Sequence, residues 1–199
     1  MKRWALIGVC ILVFLVIAVK STPCRIVTET SSTDFVFDLP FKEVQKMLIL
    51  GKFERENLRI NNAEVLEKKW LDKSFLIQRP FKSDRHWEIE ARLLAKVRTN
   101  DPKLGKVEVD LVEDILFGND RIEIITQLGK PLSSGVSSFH EEIIMTPLDN
   151  KTAVSLKSTI TVQRFISWFA GDSVSEQVKG ATEDSVRKME IVIRSLKTK

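Results

Sequence analysis

In the stretch HWEIEARLLAKVR, residues 86–98, Trp87, Ile89, Ala91, Leu93, Ala95 and Val97 alternate with His86, Glu88, Glu90, Arg92, Leu94, Lys96 and Arg98. A period of two over this length marks a strand with one buried and one wetted face, and only Leu94 interrupts the polar side. Such a strand belongs in an antiparallel sheet, because the strands of parallel sheets are covered on both faces.

The same period recurs downstream. Residues 106–117 alternate through Val107, Val109, Leu111, Ile115 and Phe117, and Gly118-Asn119-Asp120 turns the chain into Ile122, Ile124, Thr126 and Leu128. A loop over 131–135 leads to a strand over 136–146, a turn at Leu148-Asp149-Asn150 and a last strand over 152–163, buried through Val154, Leu156, Ile160 and Val162. Upstream, residues 63–70 and 74–79 read as a hairpin about Leu71-Asp72-Lys73. Before it lies an amphipathic helix over 41–50, stopped by Gly51, and residues 52–62 form a loop or a second short helix. A first strand over 34–38 is reached from a Ser/Thr-rich tether over 21–33.

The chain closes with helix. Phe165, Trp168 and Phe169 fall on one helical face, interrupted by Gly171. Ser173 and Glu176 form a capping box, after which Val178, Ala181, Ser185, Met189, Val192 and Leu196 continue a stripe at spacings of three and four. From 173 to 197 this helix is about 37 Å long. It is the one element long enough to cover the dry face of the sheet, and a bent sheet around one helix encloses a cavity.

The initial strand with Leu39-Pro40 leading into Phe41-Lys42-Glu43-Val44, together with Thr159-Ile160-Thr161-Val162 followed by residues 165–196, resembles the START-like, or helix-grip, superfamily of polyketide cyclase-like (SRPBCC) and birch-pollen-allergen-like proteins. The resemblance covers nearly all of residues 27–196. It implies an α+β fold, a bent antiparallel sheet wrapped around a long C-terminal helix. It also implies a hydrophobic or amphipathic small ligand between the two. The superfamily has no universal catalytic residues, so none is transferred.

The N-terminus has a different character. Met1 to Arg3 is basic, and the uncharged run over 4–19 is closed by Lys20. As a helix it reaches about 24 Å, short of a hydrocarbon core of roughly 30 Å but long for a signal-peptide core. The basic start is expected to stay in the cytoplasm and send the rest outward. Two readings stand for residues 1–24: a signal anchor, or a signal peptide whose cleavage releases a secreted protein. Residues 25–199 are then the START-like domain. A tethered domain departs from the common cytosolic members of the superfamily, and it makes the membrane a partner.

Charge and composition narrow the function. Removing Lys2, Arg3 and Lys20 from the 31 basic residues leaves 28 against 27 acids, so the domain lacks the basic excess that attracts nucleic acid. The only cysteines are Cys10 and Cys24, which excludes a disulfide or a cysteine nucleophile within residues 25–199. Tyrosine is absent, which removes one common general acid. There is no phosphate-binding glycine loop, zinc pattern or nucleophile elbow, so no catalytic residue, metal or cofactor is assigned.

What remains is a candidate cavity lining. Glu113 is in phase with Leu111 and Ile115, and Glu141 with Phe139, Ile143 and Met145, so regular strands turn both carboxylates to the apolar side. A β-bulge would return them to solvent. Phe139, Phe165, Trp168 and Phe169 complete the candidates, the last three as core or as the mouth of the cavity. Two functions fit: a membrane-tethered extracytoplasmic domain holding a lipid-like ligand, or an anchored assembly module of an envelope or secretion complex with no small ligand.

Overall fold

Seven strands, each antiparallel to its neighbours, form one sheet in the order β1-β7-β6-β5-β4-β3-β2. The structure is a computed structural model that describes residues 24–78, 86–101, 105–132, 135–165 and 171–198. Strand β1 is Cys24–Phe37, followed by helices α1 (Phe41–Ile49) and α2 (Lys52–Ile60). A meander then runs through β2 (Ala63–Gln78), β3 (His86–Asp101), β4 (Gly105–Gly118), β5 (Ile122–Leu128), β6 (Val136–Leu148) and β7 (Lys151–Phe165). Helix α3 (Gly171–Ser195) and a single 3₁₀ turn (Leu196–Thr198) end the described chain.

β1 and β2 are the two edges of the sheet, so the α1–α2 link must carry the chain from one edge to the other. Seven flat strands span roughly 29 Å between their outer members, and two nine-residue helices end to end reach about 27 Å. The link therefore runs as a chord across one end of the sheet. Gln45 of α1 pins it there by donating its Nε2 to the carbonyl of Gly118 at 2.6 Å, and the Thr152 hydroxyl donates to Leu39 O at 2.8 Å. The core gathers at this end: Phe37, Phe41 and Val44 meet Ile122 and Met145 of the sheet and Val192 and Ile193 of α3.

Several expectations are revised. The supposed tether is the first half of β1, which pairs with β7 from Cys24↔Phe165 onward. Its Ser/Thr content is compatible with a strand because Thr28 and Thr30 face Thr161 and Thr159, with hydroxyls 3.0 Å apart in both pairs. The supposed hairpin about Leu71-Asp72-Lys73 is one continuous strand. Leu71 falls at a register shift between Trp70 and Asp72, a bulge and not a turn. Residues 52–60 are helical.

On α3, Ala181 is exposed and Thr182 takes its place in the buried stripe, its hydroxyl donating to Val178 O at 3.0 Å. Spacings of three and of four fit a 3.6 period equally well, so the stripe fixed the face only to within a neighbour. Ser173 lies inside the first turn of α3, so it does not cap. Phe165 ends β7 and is not helical. Trp168, Phe169 and the N-terminal apolar run lie outside the described residues. Among those described, no helix is long and apolar enough to cross a membrane.

Candidate functional site

α3 packs on β1, β7 and α2, and between it and the concave face of β2–β6 lies a cavity of about 880 Å³. Its wall is mostly apolar: Trp87, Leu93, Ile115, Phe117 and Phe139 from the sheet, Leu48 and Phe53 from the short helices, and Met189 from α3. Trp87 and Phe117 stack at a tilt with ring centroids 5.7 Å apart.

The register sorts the concave face into rows. Residues opposite one another on antiparallel strands share a face. Phe117, Ile122, Met145, Val154 and Phe35 form one row across β4, β5, β6, β7 and β1. Ile115, Ile124, Ile143 and Leu156 form the next. The third row is polar. It reads Glu113, Thr126, Glu141, Ser158, Ser31 on the same five strands. Ile160 follows opposite Phe139, and the surface is apolar again.

Glu113 and Glu141 thus face inward. The strands carry no bulge at either position: β6 shifts register only between Val136 and Ser138, and β4 nowhere. The Ser185 hydroxyl of α3 donates to Glu141 Oε2 at 3.2 Å. Burial pushes the Glu141 carboxyl up to about 7; the Ser185 hydrogen bond partly offsets this, and the nearby Glu113 charge adds to it. Glu113 is also raised by burial, against the pull of Lys68. Lys68 itself is engaged, with its ammonium 2.9 and 3.0 Å from the two carboxylate oxygens of Glu54. Glu113 makes no hydrogen bond or ion pair among the described residues. A carboxyl that titrates near neutrality inside an apolar cavity can accept a hydrogen bond, exchange a proton or balance a cation.

Phe139 lines the cavity beside these groups. Of the three aromatics expected at the start of the last helix, Phe165 is placed at the end of β7 opposite Cys24, and Trp168 and Phe169 fall outside the described residues. Thr126, Ser158 and Ser185 were missed as site residues. Thr126 and Ser158 are in phase with apolar neighbours on their own strands, which was the available signal; Ser185 was legible as a polar break in the α3 stripe. His140 faces the other side, opposite Gln127 and Thr159. Among the described residues no group of three or more His, Cys, Asp or Glu is placed to hold a metal ion.

No family model matches the sequence, and no curated protein matches it. Solved structures do. The di-domain ARO/CYC BexL from the BE-7585A biosynthetic pathway superposes with a TM-score of 0.53 at 15% identity, over 85% of this chain and 50% of that one, so the chain spans about half of the di-domain. The STAR-related lipid transfer protein from Xanthomonas axonopodis (TM-score 0.45, 13% identity, 85% of this chain and 86% of that one) and norcoclaurine synthase from Thalictrum flavum (0.45, 11%, 86% and 94%) are more distant in shape. With its meander, its returning first strand and its closing helix, this chain has the START-like helix-grip fold.

Proposed function

We propose that the protein is a membrane-tethered, extracytoplasmic domain that holds a hydrophobic or lipid-like small molecule between sheet and α3. The observation that carries this reading is the cavity. At about 880 Å³ it lies within the range of small-molecule sites, and an apolar wall crossed by a few polar groups is their usual make-up. The tether rests on the basic start and the apolar run over 4–19, with residues 25–199 as the domain beyond it. The test is native mass spectrometry of the full chain after gentle extraction. A co-purifying amphiphile, lost when a bulky side chain fills the cavity (Ala91→Trp), supports ligand binding; a cavity that stays empty across expression hosts and added lipids overturns it. A C-terminal reporter active only outside the cytoplasm tests the orientation.

A second reading, an assembly module, has one observation in its favour. Along edge strand β2, Trp70, Leu71, Phe75, Leu76 and Ile77 are exposed, Phe75 to 62%. Lys68, Lys69 and Lys73 on the same strand, together with its bulges, discourage pairing by strand addition. A partner would therefore sit on the side chains. Co-purifying protein that is lost in Phe75→Asp, with no small molecule bound, favours this reading.

A further inference from the structure

The charges around the cavity are unbalanced. Among the described residues its charged lining is Glu54, Glu113, Glu141 and Lys68, three carboxylates to one ammonium. That ammonium is already held by Glu54. The imbalance is local, since residues 25–199 as a whole are close to neutral. Next to Glu141 in the register, and on the same face, the Ser158 hydroxyl is fully buried behind the cavity wall with no hydrogen-bond partner among the described residues, so it supplies no compensating charge.

Resting on the ligand-binding reading above, we propose that the cavity selects amphiphiles that carry an amine head, seated as an ammonium between Glu113 and Glu141 with the hydrophobic body along the apolar rows. Glu113 and Glu141 flank Thr126, so their backbones lie roughly 10 Å apart. An ammonium hydrogen-bonds a carboxylate at about 2.8 Å, so one nitrogen can be shared by two glutamates that lean together over Thr126. It has three protons to donate, and the row supplies two carboxylates to accept them but no cationic group to hold an anion. Trp87 and Phe139 on the same wall add aromatic rings that attract a cation, whereas the Trp70 ring is already taken by the Lys73 ammonium 4.1 Å from its centroid. A fatty carboxylate would meet two acidic side chains in a medium of low dielectric, where like charges repel more strongly than in water.

The test uses three fluorescent probes with one ring system and different heads: naphthylethylamine, naphthylethanol and naphthylacetate. Binding to the full chain is measured in mild detergent at about pH 8, above the value of about 7 to which Glu141 is raised, against a detergent blank. The expected result is that the amine binds on the order of tenfold or more tighter than the acetate, with the alcohol between. In Glu113→Gln with Glu141→Gln the preference disappears while the alcohol still binds. Glu142→Gln, on the outer face, leaves it intact. Each single Gln variant should lower the preference by itself, which keeps the test valid if the double variant does not fold. Acetate binding as tightly as the amine overturns the amine proposal and leaves the cavity reading standing. Binding of none of the three overturns the cavity reading itself.

Discussion

The hydroxyl of Ser185 on α3 reaches across the cavity margin to donate to Glu141 Oε2 on β6 at 3.2 Å. It ties the long helix to the polar row of the concave face. It also stabilises the charged form of a carboxyl that burial holds near 7, so the contact joins the packing of the helix to the protonation of the site.

Stability should fall as pH rises across this site's titration. In the unfolded chain Glu141 loses its proton near 4.5, while in the folded protein it keeps it until about 7. The stabilisation is complete below the lower value and is lost as pH rises through the window, by at most about 3 kcal/mol. The groups facing Glu141 are Ser185 on α3, Glu113 on β4 and Ser158 on β7, with the Lys68–Glu54 pair farther out; Glu113 is raised too and acts in the same sense. Asp38, Glu108 and Asp184 are held low by basic neighbours and lose their contribution only as pH falls into more acid conditions. Thermal melts between pH 5 and 8 should show the decline, and Glu141→Gln should flatten it and raise the melting temperature at the alkaline end. Identical profiles for wild type and variant would refute the buried placement.

Removing residues 24–33 should unfold the domain, whereas removing everything before Cys24 should not. The Ser/Thr-rich composition of 21–33 suggests a tether, but in the structure β1 pairs with β7 along its full length and packs under α3. Circular dichroism and melting of the two truncations decide between them. A cooperative melt after loss of 24–33 would restore the tether reading.

Ile193→Ala should cost about 2–5 kcal/mol, the range for deleting a large aliphatic side chain in a core. Ile193 is 0% exposed on the face that meets Phe41, Val44 and Met145. Chemical denaturation measures the loss, and a cost below about 1 kcal/mol would mean that this face of α3 is not the packed one.

Two glycines should respond in opposite directions to alanine. Gly51 links α1 to α2 at φ 66° with open space around it, so a methyl group meets no clash but the left-handed backbone costs about 1 kcal/mol. Gly180 sits exposed within α3, also in open space, and alanine there should add about 1 kcal/mol through helix propensity alone. Melts of the two variants that shift in the same direction would contradict one of the two backbone assignments.

The sequence by itself determined the antiparallel meander from residue 86 onward, the closing helix and the inward phase of Glu113 and Glu141, because alternation and helical period are local and survive in a single strand or turn. It did not determine that 24–33 is a strand: serine and threonine are neutral between loop and sheet until a partner strand supplies their hydrogen bonds, and that partner, β7, lies over a hundred residues away. Nor did it show that Leu71 belongs to a bulge, since one extra residue is invisible without the facing strand. The alignment of Glu113, Thr126, Glu141 and Ser158 into one row was decided only by tertiary structure, because register is a property of pairs of strands. The meeting of Ser185 with Glu141 was decided in the same way, by how α3 lies across the sheet once their apolar faces have been buried together.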